Sequence, residues 1–277
     1  MSQLIDSLVF FCYFLEMVKY LLPVILIVLS LNEDAQSFDI TGLQPTAPYS
    51  VFSTFSAESF PKGKAAFSTD AEILLDPDFY RFLFKSAYGI TDNLEFNMTI
   101  PYVHKWADTM DGFEDIAVGF KHRIFDEVRY GLSVAYILNA SLPSGRDEFS
   151  TDGRFGGGLI FSKRVGPVKG HANFFYEIPG KGSFKEELIF GAGLDFSASH
   201  NVKILAELYS KKSHDSEKFD SLEGRIGYRI KAADMLYTTL GAGFELKDKS
   251  PEYRIIFSMT FLYPYEKKVI KKIYEEE

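Results

Sequence analysis

Glu187-Leu188-Ile189-Phe190-Gly191-Ala192-Gly193-Leu194-Asp195-Phe196 alternates without a break. Leu188, Phe190, Ala192, Leu194 and Phe196 share one face of an extended chain, and Glu187, Ile189, Gly191, Gly193 and Asp195 share the other, because successive side chains of a strand point to opposite sides. The pattern returns twice. Tyr253, Ile255, Phe257, Met259 and Phe261 oppose Arg254, Ile256, Ser258 and Thr260, and Leu222, Ile226, Tyr228 and Ile230 oppose Glu223, Arg225, Gly227 and Arg229. Register is fixed by this pattern, since a slip of one residue exchanges the faces. If the apolar face meets lipid, a slip in the last of these segments would turn two arginines outward, at about 2–4 kcal/mol each near the bilayer midplane.

Working outward, nine more segments read as strands, near 64–74, 79–90, 94–103, 113–125, 129–139, 155–164, 170–178, 202–210 and 234–246. The total is about twelve, and an even number returns both ends of the sheet to one side. Connections alternate in length. Short ones lie at Thr91-Asp92-Asn93, Asp126-Glu127, Gly166-Pro167, Ser199-His200-Asn201 and Lys231 to Asp234. Longer ones lie at His104 to Gly112, Ala140 to Arg154, Pro179 to Lys185 and Lys211 to Asp220, although Leu75 to Asp78 and Lys247 to Ser250 on that side are themselves brief. Short periplasmic turns and longer extracellular loops are the asymmetry of a transmembrane antiparallel β-barrel. Phe79, Tyr80, Tyr88, Tyr102, Phe125, Tyr130, Tyr209, Tyr228 and Tyr263 fall near strand ends, as girdle residues do. A soluble β-sandwich shows the same alternation with the apolar face turned inward. The export signal, the loop asymmetry and the lack of a disulfide frame favour the barrel.

That export signal starts at Met17. Lys19 supplies its positive charge, Leu21 to Leu31 its apolar core, and Ala35-Gln36-Ser37 a small-residue cleavage site. Residues 1–37 are therefore expected to be removed, with 1–16 reflecting an upstream start; an anchoring helix over 7–31 would carry Glu16 and Lys19 near its middle. Residues 38–63, with Pro45, Pro48 and Pro61 among many Ser and Thr, read as an irregular periplasmic lead-in or a lumen plug. The barrel occupies 64–263, and the charged tail 264–277. The 277 residues carry a net charge of −8, which speaks against nucleic acid as a partner. Cys12 is the only cysteine, so the exported part has no disulfide or thiolate metal site.

The run Tyr88-Gly89-Ile90-Thr91-Asp92-Asn93-Leu94-Glu95, followed by Pro101-Tyr102, resembles the strand-turn-strand signature of a family of exported proteins named for the meta-pathway of phenol degradation or as transporters. Gly112-Phe113-Glu114-Asp115-Ile116 with Gly119 and Lys121-His122-Arg123 is similar to that family's G-x-G-D … G-x-K-x-R strand, with Glu114 standing where the family has Gly. Leu142-Pro143-Ser144-Gly145 matches the Pro-x-Gly that opens a long loop. The resemblance implies an outer-membrane barrel, and its motifs are structural rather than catalytic.

On these faces the interior receives Arg81, Lys85, Glu95, Asp115, Lys121, Arg123, Glu177, Glu187, Asp195, Lys203, Glu207, Glu223, Arg225, Arg229, Glu245 and Arg254. Charges of both signs inside a barrel must pair or meet water. They read as pore-lining groups of a narrow channel or transporter for small solutes, with hydrophobic or aromatic ones implied by the resemblance; the other reading is a structural or adhesive barrel with a filled interior. Gly156, Gly158, Gly191, Gly193, Gly227, Gly241 and Gly243 on the same face leave room for a lumen.

An enzyme is not expected, because neither a G-x-S-x-G elbow nor a His-Glu-x-x-His site is present. His104 and His214 fall in longer loops and His200 in a turn, so they do not converge. His122 falls on the lipid face, where an interfacial lipid-modifying enzyme would place a catalytic histidine. Arg146, Asp147, Glu148, Asp152 and Arg154 read as a solvated loop of mixed charge, with no metal or other cofactor implied. The expected partners are outer-membrane lipid and lipopolysaccharide, the barrel-assembly machinery during insertion, and a small solute; the expected location is the bacterial outer membrane.

Overall fold

The computed structural model describes residues 39–107, 109–247 and 251–264. The leader over 1–37 and nearly all of the charged tail lie outside the described residues. Thirteen strands follow in order: β1 (Ala65–Leu75), β2 (Phe79–Gly89), β3 (Leu94–Trp106), β4 (Met110–Phe113), β5 (Ile116–Phe125), β6 (Ser133–Leu142), β7 (Arg154–Val165), β8 (Val168–Pro179), β9 (Glu187–Ser197), β10 (Val202–Lys212), β11 (Ser221–Ala233), β12 (Leu236–Lys247) and β13 (Tyr253–Tyr263). β4 and β5 both pair with β3, one above the other, so they fill one position in the wall. Each strand pairs antiparallel with its neighbour, and β1 closes the ring on β13 from Ala65↔Tyr263 to Leu75↔Tyr253. The wall is a closed twelve-strand antiparallel barrel. Closure leaves no sheet edge, so the backbone groups of the wall bond within it, as a bilayer interior demands.

The expected faces hold through β9 and β13. Phe190 and Phe196 are exposed while Glu187 and Asp195 are buried, and Tyr253, Ile255, Phe257 and Phe261 are exposed while Arg254, Ser258 and Thr260 are buried. Around the ring the outward side chains make an apolar belt that includes Phe67, Phe84, Phe120, Leu138, Leu159, Phe174, Ile204, Ile226 and Leu240. A belt of this kind has lipid as its natural solvent. Ile226, near the middle of β11 and 55 % exposed, tests it. Ile226→Arg is expected to destabilise the folded barrel in vesicles by about 2–4 kcal/mol, measured as a shift of the urea midpoint. An unchanged midpoint would mean that this face meets water.

Four details differ from the sequence reading. The strand expected over 129–139 begins at Ser133, because Asp126 accepts from the Val128 N–H and caps a helical turn, Glu127–Tyr130, that ends at Gly131 with φ +70°. The strand expected over 113–125 is broken between Phe113 and Ile116, and both Glu114 and Asp115 turn inward. Leu222, expected outside, is buried where the β11–β12 ladder shifts. Two of the nine girdle candidates face the interior. Phe79 is buried edge-on against Trp106 at 5.0 Å, and Tyr209, in phase with Leu205 and Glu207, lies under the Arg225 guanidinium at 4.9 Å. Tyr80, Tyr88, Phe125, Tyr130 and Tyr263 are exposed near the strand ends, Tyr228 is exposed near the middle of β11 rather than at its end, and Tyr102 packs against Phe113.

Candidate functional site: a lumen filled by its own chain

Residues 39–62 precede the first strand and run inside the barrel. They carry no ladder of their own, and the wall satisfies their backbone through side chains instead. At the end that carries the longer connections, Arg81 donates to the Asp39 carbonyl (2.6 Å), and Lys211 holds the Asp39 carboxylate (2.7 Å) and the Ile40 carbonyl (3.2 Å). Arg154 also reaches the Ile40 carbonyl (3.3 Å), and Glu114 accepts the Thr41 N–H. Further in, Glu207 accepts the N–H groups of Phe52 (3.1 Å), Ser53 (2.9 Å) and Thr54 (2.8 Å). Arg229 donates to the carbonyls of Pro48 (2.9 Å), Ser50 (2.6 Å) and Val51 (2.9 Å). Asn173 bonds both the N–H (2.6 Å) and the carbonyl (2.9 Å) of Phe55. Towards the short turns, Lys121 donates to the Ser56 and Glu58 carbonyls, Ser162 accepts the Ala57 N–H, and Glu95 accepts that of Phe60. The segment leaves at the rim, where Asp92 accepts from the Lys62 N–H (3.0 Å).

Apolar anchors fix the same segment between these polar stations. Ile40 packs with Leu74, Phe79, Val103 and Phe149; Leu43 and Phe55 pack with Ile137, Ile160 and Phe175; Val51 and Phe52 pack with Leu205 and Ile256. The inward glycines supply the space. Thr54 stands over Gly191, Val51 over Gly193 and Phe52 over Gly241, so the room they leave is occupied by the segment rather than open.

The expected pore-lining set is placed as follows. Arg81, Lys85, Glu95, Asp115, Lys121, Glu177, Glu187, Asp195, Glu207, Glu223, Arg225, Arg229 and Arg254 are buried. Arg123 and Lys203 are half-buried at the short-turn rim, bonded to Asp92, Asn93 and Asp126 and to Asp195 respectively, and Glu245 is half-buried near the other end. The wall also pairs its charges with one another. Glu223 accepts from Arg225 (2.8 Å) and Arg254 (2.9 Å), Arg254 reaches Glu72 (2.5 Å), and Lys85 meets Asp70 (2.5 Å).

Several lumen residues were not in that set. Asp70, Glu72 and Lys169 alternate inward in strands that were expected, so their phase was available. Glu114 carried no such signal, because alternation turns only one of two consecutive residues inward; the break between β4 and β5 turns both. Glu114 then pairs with Arg81 at 2.8 Å. Asp115 accepts from Gly145 N–H (3.1 Å), Ser150 Oγ (2.7 Å), Thr151 N–H (2.9 Å) and Thr151 Oγ1 (3.0 Å), which folds the 143–153 loop onto the barrel. Arg154 is a correction. Expected in the solvated loop, it is the first residue of β7 and lies buried between Glu177 (3.0 Å) and Glu187 (2.8 Å). Arg146 and Glu148 do form an exposed ion pair.

The histidines stay apart. His104 meets Asp111 at 2.9 Å, and His122 stands on the outer wall edge-on to Tyr136. His171 faces the lumen and bonds Ser162 at 2.8 Å, and His214 is buried against Glu187 at 2.9 Å. Among the described residues no three His, Cys, Asp or Glu side chains gather as metal ligands do.

No protein-family model and no curated protein matches the chain. Solved structures do. A NanC porin aligns with a TM-score of 0.55 at 11 % identity, covering 70 % of this chain and 98 % of its own. A KdgM porin, solved with disordered oligogalacturonate, aligns with a TM-score of 0.54 at 10 % identity, covering 73 % and 99 %. The fold is an outer-membrane β-barrel. Together with the apolar belt, it places the chain in the bacterial outer membrane.

Proposed function

We propose that the protein is a channel for small polar solutes whose residues 39–60 act as a plug, so that conduction requires this segment to shift. One observation carries the reading: the lumen is filled by a separate, extended segment held through side chains, not by the wall's own bulk. Detaching such a segment breaks no rung of the barrel ladder, so opening and unfolding are separable. The wall thus uncovered is lined by Glu207, Arg225, Arg229, Asn173 and their neighbours. That chemistry suits polar or charged solutes better than the hydrophobic or aromatic ones that the phenol-pathway resemblance implies.

A second reading, a structural barrel with a filled interior, is favoured by the pairing of segment and wall along the whole length of the segment, from Asp39 to Lys62. A disulfide separates the two. A Cβ built on Gly191 stands 3.6 Å from Thr54 Cβ, within the range that disulfides span. In the Thr54→Cys/Gly191→Cys variant, planar-bilayer conductance is expected to be absent when oxidised and to appear on reduction. Equal conductance in both states would remove the plug role, and silence in both states, with wild type silent too, would favour the structural barrel.

A further inference from the structure

The course of residues 39–62 fixes more than occupancy of the lumen; it fixes direction. Asp39 contacts Arg81 and Lys211, which lie where β2 begins and β10 ends. That end carries the 143–153, 180–186 and 213–220 connections. At the other extreme Gly63 N–H bonds the Gly89 carbonyl (2.8 Å), beside the turn joining β2 to β3. That end carries the brief 166–167, 198–201 and 234–235 connections and both termini of the ring, and short turns belong on the periplasmic side. Between these ends the segment goes down past Thr99, turns at 47–50 beside Arg229, crosses under Glu207 and Asn173, and leaves past Glu95. Asp39 is therefore at the outer mouth, with its side chain 43 % exposed.

We infer that the barrel presents its own processed amino end at the cell surface. The wall reads the threaded segment mainly through backbone groups, with Glu207 taking three N–H groups and Arg229 three carbonyls, so the lumen works as a track for an extended polypeptide running with its amino end outward. The geometry also bears on the leader. From Leu31, the last residue of its apolar run, to Asp39 is eight residues, at most about 28 Å of extended chain. A tilted strand of the length seen here rises about 28 Å as well. An apolar run retained on the periplasmic side would have to climb the whole lumen a second time, through space that residues 40–60 already fill. Removal of the leader before threading resolves this, and the new amino end then emerges beside Asp39.

The test uses the full chain with short epitopes inserted at three places: between Ser37 and Phe38, in the 180–186 loop, and in the 198–201 turn. The first two are expected to be labelled by antibody equally on intact and permeabilised cells, and the third only after permeabilisation. An amino-end epitope that behaves like the turn epitope overturns the inference. A readout without insertions runs in parallel. Residues 38–61 contain no Lys or Arg, so the tryptic peptide ending at Lys62 carries one α-amine and one side-chain amine. A membrane-impermeant amine reagent on intact cells should modify that α-amine. A mature chain that retains residue 1, or an α-amine modified only in lysed cells, gives the opposite answer. Both readouts are independent of conductance, so they stand or fall apart from the channel reading.

Discussion

Arg229→Ala is expected to raise the open probability in planar bilayers far above that of wild type, which conducts only while the plug is shifted. Arg229 donates to three carbonyls of the plug at 2.6 to 2.9 Å and to Thr239 Oγ1 at 2.9 Å, and it is buried. Hydrogen bonds to a charged group contribute about 1.5–3 kcal/mol each. They are not additive here, because water refills part of the gap, so the plug should lose about 3–6 kcal/mol of its hold. At 1.4 kcal/mol per decade, the ratio of closed to open states falls by about 10²- to 10⁴-fold. Arg229→Lys should lie between, since one ammonium on a flexible stem cannot reproduce the planar fork that reaches three carbonyls. The ladder of the barrel is untouched, so the heat-modifiable migration of the folded form should persist. Closed recordings from a folded Arg229→Ala barrel would count directly against the plug.

The second large effect is on stability. Glu223→Ala is expected to lower the free energy of unfolding by about 3–5 kcal/mol, as for a buried charge pair that loses one partner. Glu223 sits between two arginines, accepting from Arg225 and Arg254, and both of those are buried with it. Removing it leaves Arg225 on Glu207 and Arg254 on Glu72, with two guanidinium groups facing each other across a vacated site. Glu223→Gln keeps an acceptor and should cost less. Glu223→Ala/Arg254→Leu should recover part of the loss, because it removes a surplus buried cation along with its partner. Urea titration of the barrel in vesicles reads all three. A single variant no weaker than the double would mean that the network contributes nothing as a network.

How far the sequence reached is clearest where side-chain phase alone decides. In β9 and β13 every residue lies on the face that alternation assigns, because a strand has only two faces and lipid and water sort them. Asp70 and Glu72 were legible by the same rule, since they share the phase of Ser68 in β1. Glu114 was not, because its inward turn depends on a break between β4 and β5 that no local pattern announces. Arg154 was hidden for a related reason: it is the first residue of a strand whose preceding loop is just as polar.

The filled lumen lies furthest beyond the sequence. Residues 39–62 show neither period, and their Pro, Ser and Thr suit a periplasmic lead-in as well as a plug. What places them inside is a set of contacts between groups more than a hundred residues apart, such as Phe52, Ser53 and Thr54 with Glu207, and Phe55 with Asn173. The inward glycines signalled space, and only closure of the ring showed what fills it. Alternation by itself assigned the residues to two faces, because it is a local property of one strand; together with the loop asymmetry and the export signal it pointed to a membrane barrel with charge inside. Which charges meet, that they bind a backbone rather than a solute, and that Asp39 lies at the end with the longer connections were decided by the tertiary structure. Those facts exist only once the ring of strands has closed around a segment that joins no ladder.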